Sequence, residues 1–351
     1  MEKDEILLGD IDLIREQNAI ELPSKKKVKL RMKNLRLHSS GVFSNVYRGT
    51  LLNPEPRKEI VLKKTWPDLA EDSHINIELD ILLNLSRGGH KNIIQVLYMF
   101  RSTTPDKKIC DTMVFDYLPQ TISEIVKQIG GENPDYVEIK LYSWQLFNGL
   151  AYLSNNYICH RDIKPQNLLI EPISGMLKIA DFGSAKFMRK MTQSTYYQVT
   201  RYYRPPELLL KATFYSPQVD VWSGGCVLGE ITKGNILFPG KNTKHQLKLI
   251  IEVLGSPSET ELMNMKTTMQ FTTDSRIAPR GFRPFLPHAS EEIIDILQRI
   301  LVYSPKKRLC GKVLLSDPFF QELFVPNKRR TNGTFVSNAI TLDDLQKIPS
   351  N

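Results

Sequence analysis

Apolar positions in the first third of the chain come in short runs. Leu35 and Leu37, then Val42 and Val46, flank Ser39-Ser40-Gly41, and Ile60-Val61-Leu62 is a compact apolar run. Runs of this kind bounded by turn residues predict strands over 28–65. Strand signals return at Ile93–Phe100 and Thr112–Tyr117. In between, Ile75, Leu79, Leu82 and Leu85 recur at three and four, which predicts a helix over 72–86. From about residue 121 the pattern turns helical. Tyr136–Leu153 has the cleanest long periodicity, and Val219–Ile231, His245–Leu254 and Glu291–Leu301 follow. Residues 1–24 alternate acids with Ile6, Leu7, Leu8, Ile11, Leu13 and Ile14, the spacing of a short amphipathic helix packed on its own domain. Lys25-Lys26-Lys27 reads as a solvated hinge. The pattern therefore predicts an α+β protein of two lobes, strand-rich then helical, joined near Asp116-Tyr117-Leu118. Two lobes leave a cleft suited to a nucleotide-sized ligand. The expected divisions are an extension at 1–29, a first lobe at 30–117, a second at 118–322, and a tail at 323–351 packed on the second lobe.

Composition narrows the class. The 351 residues are 41% apolar and 24% charged, which suits a soluble globular protein. No stretch approaches the roughly 20 apolar residues that span a bilayer, so no membrane partner is expected. The acidic start MEKDEILLGD does not read as a secretion signal. Cys110, Cys159, Cys226 and Cys310 lack paired spacing and read as ordinary thiols in a reducing compartment. Asn332-Gly333-Thr334 fits a glycosylation pattern only on a secretory route. A cytoplasmic location is expected, with the nucleus left open because Lys25-Lys26-Lys27 is too short to decide. The net charge of +9 favours acidic or phosphorylated partners. No nucleic-acid module accompanies it, so direct nucleic-acid binding is not expected.

The chemistry is concentrated in His160-Arg161-Asp162-Ile163-Lys164-Pro165-Gln166-Asn167, followed by Asp181-Phe182-Gly183 and Pro206-Glu207. In order and spacing this set resembles the eukaryotic protein kinase signature. The resemblance implies the bilobal kinase fold, ATP and Mg2+ as cofactors, and protein substrates. Phosphoryl transfer needs an aligned hydroxyl, a held triphosphate and charge compensation. Asp162 would orient the substrate hydroxyl and accept its proton. Asn167 and Asp181 would offer oxygen ligands to magnesium, and Lys164 would offset charge on the moving phosphate. By resemblance, Lys164 favours serine or threonine over tyrosine as the target. His160 would be scaffold rather than base. Lys63, at the end of the Ile60–Leu62 run, matches the lysine that pairs with ATP phosphates, and Glu78 would hold it. Adjacent Lys64 is the rival. Gly41, Val46, Val61 and Met113 match residues lining the ATP pocket, with Met113 at its back. Asp116, Tyr117 and Leu118 would recognise adenine through the backbone. The phosphate-covering run Ser39-Ser40-Gly41-Val42-Phe43-Ser44 keeps one of the family's three glycines. That loss predicts weaker ATP binding or a stiffer loop.

More specific stretches are Leu177–Lys186, Thr200–Glu207, Val221–Leu228, Leu237-Phe238-Pro239-Gly240 and Val253–Pro257. They resemble the glycogen synthase kinase-3 family, as a divergent member, over roughly 30–345. The resemblance implies a phosphorylated Tyr197 paired with Arg201 and Arg204, with Thr195 and Tyr196 as rivals. It implies a clamp for a priming phosphate four residues beyond the target, of which Arg161 and Lys186 are present. The third position is Ile77, which has no charge. Weakened dependence on priming and simple proline-directed phosphorylation are therefore expected. Arg161 would also tie the catalytic loop to the activation segment. Glu207 would pair with Arg308. A scaffold or regulatory protein is expected in a groove of the second lobe, although 259–285 departs from the family pattern. The alternative to an active kinase is a pseudokinase-like ATP-binding scaffold.

Overall fold

A computed structural model of the chain describes residues 13–41, 44–66, 76–103, 109–188, 194–195, 199–267 and 276–348. It has the bilobal α+β kinase layout, with a β-rich unit and a helical unit. Residues Met1–Gly89 and Ile94–Leu118 form the first compact unit; His90–Ile93 and Pro119–Asn351 form the second.

The first unit is a closed antiparallel barrel in the order β1-β2-β3-β4-β6-β5. Its strands are β1 (Arg15–Glu21), β2 (Lys27–Ser40), β3 (Ser44–Asn53), β4 (Lys58–Thr65), β5 (Tyr98–Thr103) and β6 (Ile109–Asp116). Helix α1 (Ile77–Ser86) lies between β4 and β5 in the chain. Leu30, Met32, Tyr47, Leu51, Ile60, Leu62, Tyr98 and Val114 fill the barrel.

Two expectations change here. Within the 1–24 stretch read as a short amphipathic helix, Ile6, Leu7, Leu8 and Ile11 lie outside the described residues, while residues 15–21 are strand β1. Its alternation has period two: Ala19 is buried while Glu16, Asn18 and Ile20 are exposed. The helix expected from residue 72 begins at Ile77, where the Asn76 side chain accepts from the amide of Leu79 and caps the first turn. Residues 67–75, including Ile75, lie outside the described residues.

The second unit begins with β7 (Gln120–Thr121), α2 (Ile122–Ile129) and α3 (Tyr136–Asn155). Short strands β8 (Ile158–Cys159), β9 (Leu168–Glu171), β10 (Met176–Ile179) and β11 (Lys186–Phe187) follow. The helices α4 (Pro206–Leu209), α5 (Gln218–Lys233), α6 (Thr243–Leu254), α7 (Glu259–Met265), α8 (Glu291–Ile300), α9 (Gly311–Leu315) and α10 (Leu342–Gln346) complete it. Fully buried Trp144 and Phe147 on α3 and Trp222 on α5 anchor the core. Gly224 and Gly225 let α5 pack closely: a Cβ on them would stand 2.9 Å from the Phe147 ring and 2.7 Å from Ile300. Asp135, Asn242, Ser258 and Ser290 cap α3, α6, α7 and α8 through their side chains.

The buried ion pair expected from the sequence is formed. Arg308 donates to both oxygens of Glu207 at 2.7 and 2.6 Å, with both side chains sealed from solvent. Arg330 of the tail reaches Glu138 at 2.8 and 2.9 Å, Tyr142 at 3.0 Å and the carbonyls of Pro172 and Ile173. Of the cysteines, Cys110, Cys159 and Cys226 are buried and Cys310 is half-buried; none is bonded to another. No helix among the described residues is long and apolar enough to cross a membrane.

Candidate active site

In the first unit, ladder register sets the site. Val46 is paired with Lys63, Lys63 with Met113, and Val61 with Phe115. Cross-strand partners share a face, and alternate residues along a strand return to it. Val46, Val61, Lys63, Met113 and Phe115 therefore lie on one face of β3, β4 and β6. Leu62 and Val114 point the other way, into the barrel core. Lys63 Nζ donates to Glu78 Oε1 at 2.7 Å, and Glu78 on α1 is only 8% exposed. Asn76 joins the same arrangement: its amide nitrogen donates to Thr65 Oγ1 at 3.0 Å, fastening the start of α1 to the end of β4. Lys64 faces the opposite side, with its ammonium over the Trp66 ring at 4.6 Å.

Phe115 was passed over in the sequence. Alternation from Met113 is the signal that finds it. Arg48 and Glu59 were passed over as well. The Arg48 guanidinium lies 3.7 Å from the Tyr117 ring centre and donates to the Tyr117 hydroxyl at 2.8 Å and to Glu59 at 2.8 and 3.0 Å. The Tyr117 amide donates to the Glu59 carbonyl at 3.3 Å, and Asp116 pairs with Lys58 at 2.7 Å. The stretch Asp116–Leu118 is thus tied to β3 and β4. At Gly41 the amide donates to the Ser44 carbonyl at 2.8 Å, and a Cβ would meet that oxygen at 3.5 Å, ordinary contact. Val42 and Phe43 lie outside the described residues.

In the second unit, the loop after β8 gathers around Asp162. Its carboxylate accepts from Lys164 Nζ at 2.6 Å, Thr200 Oγ1 at 2.8 Å and Asn167 Nδ2 at 3.2 Å. Asn167 Nδ2 also donates to the Asp162 carbonyl at 2.8 Å. The Asn167 side-chain nitrogen is thus engaged by two oxygens of Asp162. Asp181 sits in the left-handed region at φ 62°, as Asp tolerates better than most residues.

His160 is fully buried: its Nδ1 accepts from the Asp162 amide at 3.3 Å, so Nε2 carries the proton toward the Ala180 carbonyl at 3.0 Å. Its ring meets Phe182 edge-on at 4.8 Å. It is scaffold, linking the two loops.

Asp220, on α5, was not singled out in the sequence. It accepts from the amides of His160 at 2.6 Å and Arg161 at 2.9 Å. Burial pushes its carboxyl above the usual range, against the pull of His160, those two amides and the Cys159 thiol. Asn92 was also missed. Wholly buried, it donates to Gln145 and the Leu177 carbonyl and accepts from Asn148, while its own carbonyl receives the Ile179 amide at 2.8 Å. It fixes β10, which leads to Asp181.

Arg161, at φ 65°, donates from Nε to the Ser184 carbonyl at 2.6 Å and lies 3.5 Å from the Tyr215 hydroxyl. It joins the loop after β8 to the segment after Asp181. Lys186 Nζ donates to Ser194 Oγ at 2.8 Å. Arg204 binds the Val199 carbonyl at 3.2 and 2.8 Å, and Arg201 binds the Lys241 carbonyl at 2.8 Å. Tyr197 and Tyr196 lie outside the described residues.

Oxygen donors on Asn167 and Asp181 suit magnesium chemically. Among the described residues no cluster of three or more His, Cys, Asp or Glu side chains could hold a metal alone.

Residues 35–320 match the protein kinase domain family, so the chain belongs to the protein kinases. More particularly, it is 35% identical over 313 residues to a Caenorhabditis elegans protein named "Putative serine/threonine-protein kinase gskl-1". That alignment covers 88% of this chain and 85% of the relative.

Proposed function

We propose that the chain transfers the terminal phosphate of ATP to serine or threonine hydroxyls of proteins. The observation that carries this reading is the Asp162 carboxylate, held at once by Lys164, Thr200 and Asn167. A base that must meet a hydroxyl in line with a phosphate gains most from such fixed orientation. Asp162 takes the hydroxyl proton, and Lys164 lies beside it to offset charge on the phosphate in transit. Lys63, kept in place by Glu78, binds ATP phosphates. Val46, Val61, Met113 and Phe115 supply an apolar face for the base, and Asp116–Leu118 supplies backbone groups. Asn167 and Asp181 hold magnesium, which when bound neutralises phosphate charge.

The finer reading is proline-directed transfer with little need for a priming phosphate. It is supported by the engagement of Arg161 with Ser184 and of Lys186 with Ser194, groups of the chain itself. Ile77, in the first turn of α1 and 53% exposed, adds no cation. Phosphorylation at Tyr197 and a protein partner around α7, where Met263 is 70% exposed, belong to the same reading, as does a cytoplasmic location with the nucleus left open.

The test is magnesium-dependent transfer from labelled ATP by the purified chain and an Asp181→Asn variant. Paired proline-containing peptides, with and without phosphoserine four residues beyond the target, serve as substrates. We expect transfer that the variant loses, with the two peptides used within about tenfold, the worth of one charge-assisted contact. Equal transfer by both proteins would overturn the catalytic reading. A preference of a hundredfold for the phosphorylated peptide would overturn only the finer one.

A further inference from the structure

The inner wall of the first unit's barrel changes character along its length. At one end lie Leu30, Leu51, Ile60 and Val114, all fully buried. Toward the other end the inward positions become polar. Arg15 is paired with core residue Met32, and Gln17 with core residue Leu30, so both point inward. Lys64 is two residues beyond core residue Leu62 and paired with Thr112, which is also paired with Phe100.

Strand β1 is paired with β5 only at Ile20–Met99 and Glu21–Tyr98. The rest of β1 and Phe100–Thr103 have no ladder between them there, and a cavity of about 500 Å³ lies at this end. Its walls are apolar Met32, Leu35, Tyr47, Leu62 and Phe100, and its polar members include Arg15, Lys64 and Thr112. Thr112 is 3% exposed, yet its hydroxyl has no hydrogen bond among the described residues. The Arg15 guanidinium likewise has no ion pair there. The acid at the rim, Glu16, is taken by Lys29 at 2.5 Å and Arg31 at 3.5 Å.

We propose that this cavity is a binding site for a small amphipathic carboxylate, such as a medium-chain fatty acid. The volume falls in the range of roughly 300–1,000 Å³ typical of small-ligand sites. The apolar walls take the hydrocarbon chain. Arg15 supplies positive charge for the carboxylate, a pairing that gains from the low dielectric of a barrel interior. The Thr112 hydroxyl is a further donor. The site lies on the opposite face of β4 from Lys63, and binding there is independent of phosphate transfer.

The test is calorimetric titration of the full chain with decanoate, beside decanol, Arg15→Gln and Ser102→Trp. Ser102 lines the cavity, so tryptophan there fills it. We expect saturable one-to-one binding of decanoate. Arg15→Gln should weaken it about tenfold, the worth of one charge-assisted contact, and decanol should bind weaker by at least as much. Ser102→Trp should abolish it. Arg15→Gln should retain phosphate transfer, which reports an intact fold even if Ser102→Trp fails to fold. Absence of saturable decanoate binding would overturn the proposal. So would equal binding by Arg15→Gln, or decanol binding as tightly as decanoate.

Discussion

His90 stacks on Tyr152 with ring centres 4.5 Å apart, and its Nδ1 accepts from the Asn92 amide at 3.2 Å. Burial pulls its pKa from 6.5 down to about 4, against the opposing effect of Asp344. An unfolded chain takes up this proton near pH 6.5, whereas the folded one refuses it until about pH 4. The stabilisation is therefore complete above pH 6.5 and is lost as pH falls toward 4. At pH 5 the loss is about 2 kcal/mol. Urea unfolding of the chain and of His90→Phe, which keeps a ring against Tyr152, should show this contribution to the acid slope only in the wild type. Parallel slopes would show that His90 does not carry it. At the same scale, Asp162 owes its setting to partners that local reading could not supply. Lys164 and Asn167 are neighbours in sequence, but Thr200 stands 38 residues away. Asp220 reaches the loop from 60 residues away and binds main-chain amides, which leave no side-chain pattern to read.

Among the elements, strand β4 and helix α1 work as a pair. Asn76 caps the helix and also binds Thr65, so one side chain sets the position of Glu78 relative to Lys63. Asn76→Ala should lower stability by about 1 kcal/mol through the lost cap. It should also raise the KM for ATP more than it lowers kcat, read from steady-state phosphate transfer. An unchanged KM would show that Lys63–Glu78 is held without the cap. Much of this layer was legible in the sequence. The run Ile60–Leu62 placed Lys63 on a strand, and periodicity located α3, α5, α6 and α8 to within two residues or so. Strand β1 was not legible, because Arg15–Glu21 holds few strand-favouring residues and its acids mimic a helical surface. Its partner β2 supplies the order that the local sequence lacks. Phe115 and Arg48 also escaped, since their importance depends on cross-strand register and on the approach of Tyr117.

At the scale of the molecule, the tail is part of the second unit's core. Arg330 is 5% exposed and binds equally buried Glu138 with two hydrogen bonds. Ending the chain at Lys328 would strand that carboxylate. We expect a loss of at least about 3–5 kcal/mol, the usual result of breaking a buried pair by removing one partner, because buried Val336, Ala339 and Ile340 leave with Arg330. Urea denaturation of the shortened chain should show it, and Glu138→Leu in the shortened chain should recover a large part. No change on shortening would mean that the tail merely decorates the surface. The path of the chain matters too. Residues His90–Ile93 belong to the second unit although the segments on either side of them belong to the first. Asn92 finds its carbonyl partner on Leu177, 85 residues later. At ribosomal speeds of roughly 5–20 residues per second, that partner is synthesised about 4–17 seconds afterwards. A nascent first unit therefore holds a four-residue insertion that cannot yet be seated, and β10 completes its place only when the second unit is well under way.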